Sequence, residues 1–159
     1  MKNAFVFSCS SVAARRHFDL TVGNGVPVPH VLAHVPDPTA RSRFVAAHGD
    51  GVAYCWGGRS GGQDERYFER MAVGDLILAY RARSIVAAAF LVDKLRNKSL
   101  GTSLWPDEQN RPYDLVYFFS EPQMVDQSIK PLGRYFGQVY QGLRRLPSSE
   151  GILEEFGSF

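Results

Sequence analysis

Two apolar runs, 76–81 and 85–94, are separated by only Ala82-Arg83-Ser84. So short a link forces them antiparallel, because a crossover to a parallel neighbour takes a dozen residues or more. Gly74-Asp75 supplies a turn before the first run. The second is apolar almost throughout, the pattern of a strand buried on both faces. Further strand-like runs flank this hairpin at 3–8, 52–56 and 114–120, the last stopped at Pro122. Residues 129–135 read as a short strand or turn, and 140–146 as a last strand or the start of a helix.

Helical stretches are short. Ser10-Ser11 caps one through Phe18, a second covers 39–48, and Asp64 caps a third over 65–71. Ser148-Ser149-Glu150 caps a final one over 152–156. Gly23 to Pro38, rich in Gly and Pro, and Leu95 to Arg111 read as loops. With no βαβ rhythm, the expectation is an α+β fold: a curved mixed sheet or open β-barrel of five to six strands flanked by short helices.

A length of 159 residues suits one domain with one substantial core. The chain breaks off at Glu154-Glu155-Phe156-Gly157-Ser158-Phe159, mid-helix by pattern, so residues 1–159 are expected to be a single module of a longer polypeptide. No segment has the ~18 consecutive apolar residues of a membrane span, and the N-terminus lacks the features of a signal peptide. Cys9 and Cys55 are too few for a disulfide scaffold. Buried, reduced thiols and a cytoplasmic location are expected.

The net charge of +2 excludes little, but lysine occurs only at 2, 94, 98 and 130, and every other basic residue except histidine is arginine. Arginine's planar fork grips phosphate at two points and stacks on bases. A GC-rich genome would produce the same bias. Arg59, Arg81, Arg83 and Arg144 fall in or beside turns, as candidate phosphate contacts.

Trp56, Trp105 and Tyr113 stand at strand ends or in loops, where a core aromatic is least needed. Trp56 precedes Gly57-Gly58, which would let backbone amides approach a ligand closely. One reading makes these rings the walls of a base-binding slot; the other makes Trp56 a core residue before a flexible turn and Trp105 a plug between sheet and helix. Stacking on an aromatic is worth ~1–3 kcal/mol per base.

Enzymatic readings are thinner. Residues 57–62 lack both the Lys-Ser/Thr ending of a P-loop and the spacing of a dinucleotide fingerprint. His30 and His34 are spaced i, i+4, but no glutamate lies between them and prolines flank them, unlike a zinc-protease helix. Cys9 with His17 lacks a third orienting group. Neither a catalytic centre, a metal site nor a cofactor is expected.

The order of pieces resembles the PUA superfamily of modified-base readers, above all its YTH and EVE branches. Ala4-Phe5-Val6-Phe7 with Ser8-Cys9-Ser10 resembles the opening strand and polar loop. Tyr54-Cys55-Trp56-Gly57 resembles the strand with the pocket tryptophan, and 76–94 the central hairpin. Leu104-Trp105-Pro106-Asp107 and 113–119 resemble the second pocket wall, and Val139-Tyr140-Gln141-Gly142 the C-terminal end. The strand Gly-Asp-Leu-Ile-Leu-Ala-Tyr and the Leu-Trp-Pro block are also similar to N-terminal specificity domains of McrB-type modification-dependent restriction enzymes. Gly23 to Gly51 departs from the pattern.

The resemblance implies a non-catalytic module that flips a methylated base out of double-stranded DNA into an aromatic cage. N6-methyladenine is favoured and methylcytosine comes next. Trp56 and Trp105 or Tyr113 would be walls, Ser8 or Ser10 and the backbone at Gly57 would read the base edge, and the arginines would hold phosphates. A fused or associated nuclease or AAA+ motor would do the chemistry. An RNA-modification reader and a small nucleotide-processing enzyme are the alternatives.

Overall fold

The computed structural model describes residues 2–49, 51–107, 109–130, 142–146, 151–152 and 154. Its strands are β1 (Ala4–Ser8), β2 (Val26–Pro27), β3 (Val52–Gly58), β4 (Leu76–Arg81), β5 (Ser84–Arg96), β6 (Leu115–Phe119), β7 (Gln123–Ser128) and β8 (Leu143–Arg145). The helices are α1 (Val12–Phe18), continued by a π-turn over Asp19–Gly23, then α2 (Val28–Leu32), α3 (Pro38–His48), α4 (Gln63–Arg70) and α5 (Lys98–Leu104). The sheet runs β2-β3-β6-β5-β4-β1-β8, with β7 also on β5. β1 pairs with β4 in parallel, and the other ladders are antiparallel.

The central hairpin forms as expected, around a turn in which Ala82 and Arg83 have φ of 48° and 65°. Such a turn matches the right-handed twist of the strands but places two side chains in the left-handed region. β5 is long enough, at 13 residues, to serve two neighbourhoods. Its first half pairs with β4 and β7, its second half with β6, and the register shifts between Leu91 and Asp93. That shift bends the strand and curls the sheet.

The curl is deep enough that Phe7 of β1 stacks on Trp56 of β3, centroids 4.7 Å apart, although three strands separate β1 from β3 along the sheet. No ladder joins β1 to β3 among the described residues, so the barrel is open. Alternation divides the side chains between two faces. Phe5, Phe7, Ile77, Tyr117 and Phe119 fill the inside of the curve, while Val116 and Phe118 face a second core roofed by Phe44 of α3 and Leu100 of α5. Ala4, Val6, Leu76 and Leu78 meet Leu146 and Ile152 in a third.

Five features differ from the expectation. There are eight strands among the described residues rather than five or six. β7 carries no apolar run because it is a solvent-facing partner of β5: only Val125 and Gln127 are partly covered. The segment 23–38 contains β2 and α2, its prolines Pro27 and Pro29 sitting at the start of the helix, where a missing N–H costs nothing. Residues 98–104 form α5, capped by Asn97. Asp64 does not cap α4, whose N-cap is Gly62. By contrast, Ser11 caps α1 through the Ala14 amide. Residues 131–135, 139–141 and the proposed cap 148–150 lie outside the described residues.

Replacing Ala82-Arg83 by Asn-Gly removes two side chains from the left-handed region. Chemical denaturation is expected to show a gain of about 1–2 kcal/mol, and a loss would mean that the two side chains make stabilising contacts.

Candidate functional site

At one end of the curled sheet the finish of β1 and β3 meets the start of β6 and β8. A cavity of about 190 Å³ opens there. β3 contributes Trp56 and Gly57 to its lining, the loop after α5 Trp105, and the approach to β6 Tyr113. α1 supplies Ala13, Ala14 and His17, whose small methyl groups and single ring leave the space unfilled. Ser8, Ser11, Arg59, Asp64 and Gly142 complete the wall.

The tryptophans are more deeply set than the sequence suggests. Trp56 is 9% exposed and Trp105 2%. Trp56 has one face covered by Phe7, at an interplanar angle of 19°. The two indoles meet at 6.3 Å and 58°. A base sandwiched between parallel rings needs roughly 7 Å, twice the ~3.4 Å rise of stacked nucleotides. Trp56 and Trp105 are therefore not the two facing plates of a cage. They join into one continuous wall, anchored in the core, that turns part of its surface to the cavity. Tyr113 extends this wall, meeting Trp105 edge-on at 5.8 Å and 73°, and is only half-buried.

Gly57 has a steric purpose. A Cβ there would come within 2.4 Å of Cζ3 of Trp105, so the glycine is the seat of the indole. The glycine-rich loop that follows does not present its amides freely: Ser60 donates to Asp114 Oδ1 at 2.9 Å and Gly61 to Glu65 Oε2 at 2.8 Å.

Asp64 is the polar group the sequence reading missed. Its Oδ1 accepts from the Leu143 amide at 2.9 Å, and a Cβ at Gly142 would come within 2.7 Å of that oxygen. Gly142 itself has φ of 70°. The carboxylate thus ties α4 to the start of β8 and stands at the cavity. An aspartate at the head of a helix reads in sequence as a cap, which hid this role. Trp105 Nε1 is buried without a hydrogen-bond partner among the described residues.

Of the other expected contacts, Ser8 lines the cavity, whereas Ser10 does not. Ser10 Oγ accepts from the Ala82 amide at 3.5 Å and lies 3.3 Å from Ser8 Oγ. Arg59 lies over the Tyr113 ring, 3.8 Å from its centroid, and pairs with Asp107 at 3.7 Å. With Arg144, Ser60 and Gly61 it also lines an adjoining open recess of about 490 Å³. Arg81 packs over Phe18 at 4.9 Å with two of its nitrogens buried, away from both concavities. Arg83 is exposed at the hairpin turn.

The groups considered for catalysis have structural partners. Cys9 Sγ donates to the Tyr80 carbonyl at 3.3 Å; burial pushes this thiol up, partly offset by Arg81. His30 and His34 hydrogen-bond Ser103 and Ser99 of α5 at 3.0 and 2.6 Å. Among the described residues no three metal-ligating side chains cluster, and no helix is long and apolar enough to cross a membrane.

His17 packs edge-on against Tyr113 at 5.7 Å. Burial, then the Arg16 and Arg59 charges, hold its pKa below the usual 6.5, and burial does the same to His48. Both rings are thus disfavoured as cations by folding, while the unfolded chain still takes up protons near 6.5. Stability is expected to be complete above that value and to fall as the pH drops from about 6.5 through the folded values. Titration of the His17 and His48 ring protons by NMR, alongside denaturation at several pH values, checks this. Midpoints above 6.5 would contradict it.

No protein-family model matches the chain, and no curated protein matches it in sequence. Solved structures do. The N-terminal domain of Thermococcus gammatolerans McrB bound to m5C DNA aligns with a TM-score of 0.71 at 16% identity, over 97% of this chain and 98% of that one. The YTH domain of the Zygosaccharomyces rouxii MRB1 protein, in complex with N6-methyladenosine RNA, aligns with a TM-score of 0.53 at 15% identity. That match covers 99% of this chain and 88% of the other. The curled, unclosed sheet with its short flanking helices is accordingly the fold shared by McrB N-terminal and YTH domains.

Proposed function

We propose that this domain is a non-catalytic reader of a methylated base in DNA. The observation that carries the proposal is the 190 Å³ cavity with a Trp56–Trp105–Tyr113 wall and the Asp64 carboxylate beside it. The volume lies below the ~300–1,000 Å³ typical of pockets for drug-sized ligands and suits something as small as one base. The aromatic wall offers stacking and an apolar surface for a methyl group. The carboxylate accepts hydrogen bonds, as aspartate does from the cytosine N4 amine, which favours a base bearing an exocyclic amine. Adenine and cytosine qualify; thymine does not.

N6-methyladenine remains the first candidate by the YTH-like order of the chain, and the McrB domain bound to m5C DNA supports methylcytosine beside it. Extruding a base costs a few kcal/mol. Stacking at ~1–3 kcal/mol, with hydrogen bonds to the base edge, offsets that cost, and phosphate contacts supply the salt-dependent remainder. Arg59 and Arg144, on the recess next to the cavity, are best placed for those contacts. A nuclease or AAA+ motor, fused or associated, would act on what this domain finds.

The test is a titration of matched duplexes and single strands, DNA and RNA, carrying adenine, N6-methyladenine, cytosine or 5-methylcytosine, at two salt concentrations. The expected result is a methyl preference on DNA that survives added salt over a salt-dependent background. Preference for the RNA strands would favour the RNA reader, turnover of the base or nucleotide the enzyme, and equal binding of all strands would overturn the proposal. Tyr113→Ala is the cleaner probe of the wall. Because the residue is half-buried, the protein is expected to stay folded while affinity for the methylated strand falls roughly tenfold. Trp56→Ala, by contrast, is expected to cost about 3–5 kcal/mol of stability, because its ring is stacked into the core. Asp64→Asn is expected to weaken amine-bearing bases selectively.

A further inference from the structure

Of the four histidines in the chain, His17 alone lines the cavity. His30 and His34 are tied to Ser103 and Ser99 of α5, and His48 packs on Phe44 and Phe118 in the second core. His17 has no such anchor: among the described residues neither of its ring nitrogens has a hydrogen-bond partner. Its support is the Tyr113 ring, met edge-on at 5.7 Å and 85°.

The charges around this ring are unbalanced. Arg16 precedes it on α1, while Arg15 turns to the Ser10 carbonyl at 3.1 Å. Arg59, from the loop after β3, covers the face of the same Tyr113 ring at 3.8 Å. The opposing acid is Asp107, on the loop after α5, and it is already engaged by Arg59 at 3.7 Å and Arg111 at 3.1 Å. Asp64 of α4 also stands at the cavity, its Oδ1 on the Leu143 amide. In the free domain burial, then the Arg16 and Arg59 charges, keep the imidazole neutral against the pull of Asp107.

An anion reverses that balance. Arg59 lines both the cavity and the recess that Arg144 borders, so a phosphate pairing with it offsets its charge on His17 and adds a negative one. The ring is already half-buried, so further desolvation by a ligand is a smaller change than the arrival of a full negative charge. We propose that His17 binds the strand as an imidazolium, sharing with Arg59 the phosphate of the extruded nucleotide, so that the complex forms with uptake of a proton. This inference rests on the reader function above and adds a regulation of the same site. By linkage, a group that holds its proton more tightly in the complex favours binding at low pH. The gain sets in as the pH falls through the bound value and ends below the free one, which lies under 6.5.

The experiment is calorimetric titration of the domain with a duplex carrying one N6-methyladenine or 5-methylcytosine. Two buffers of different ionisation enthalpy at pH 6.5 count the protons exchanged. The expected result is uptake of roughly half a proton or more, with affinity rising about five- to tenfold from pH 8.0 to 6.0. The salt dependence is expected to steepen at the lower pH by about one phosphate contact. His17→Gln is expected to abolish both the uptake and the pH dependence, and His17→Lys to bind at pH 8.0 as the wild type does at pH 6.0. A duplex whose methylated nucleotide carries an uncharged methylphosphonate linkage is expected to bind the wild-type domain without proton uptake, an arm that needs no variant to fold. No uptake or a release of protons by the wild type, uptake that persists in His17→Gln, or uptake unchanged by the methylphosphonate would overturn the proton-coupled contact, while a methyl preference seen in the same titrations leaves the reader in place. A wild-type domain without methyl preference on DNA at any pH would remove the reader function itself, and this inference with it.

Discussion

The missing side chain at position 57 lets the Trp105 indole lie directly against β3, where any Cβ would meet the ring at 2.4 Å. From that seat Trp105 touches Trp56 on one side and Tyr113 on the other, and the three rings form the wall. The same principle recurs one layer out. At Gly101 a Cβ would meet the Tyr113 carbonyl oxygen, so α5, which delivers Trp105, can settle against the strand entrance that delivers Tyr113. Two absent methyl groups thus bring the aromatic residues of three separate segments together at one end of the sheet.

The wall would face open solvent if the sheet were flat. The register shift in β5 curls it until Phe7 stacks beneath Trp56, which places β1, and with it α1, across from β3. Asp75 reinforces this join by accepting from the Asn3 amide at 2.9 Å and the Ala72 amide at 2.8 Å, tying the entrance of β1 to that of β4. Asp64 closes the remaining side by holding the start of β8. The cavity is therefore a consequence of how the barrel fails to close, and its depth is set by core packing.

What the sequence reveals follows from which forces are local. The β4–β5 hairpin, the Ser11 cap and α3 are legible because alternation, capping and turn chemistry act within a few residues. The three wall aromatics stand out because large rings sit beside glycine, proline or a strand end. β7 is hidden because its pairing with β5, not an apolar face, makes it a strand. α2 and α5 are hidden because proline and glycine read as loop, although Pro29 is tolerated in a first turn and Gly101 is demanded by a neighbour. The non-parallel tilt of the indoles and the reach of Asp64 to Leu143, 79 positions away, are set only by tertiary packing.

The central claim is that the Trp105 wall, and not some other surface, receives the methylated base. The chain contains two tryptophans, so a ¹⁵N-labelled sample gives two indole N–H signals, both from residues at this wall. Titrating in an oligonucleotide with one ¹³C-methylated base reads both partners at once. The account predicts that both indole signals move, because both rings line the cavity. It also predicts that the base methyl resonance shifts upfield under the aromatic ring currents. Saturated binding with both indole signals and the methyl resonance unmoved would contradict it.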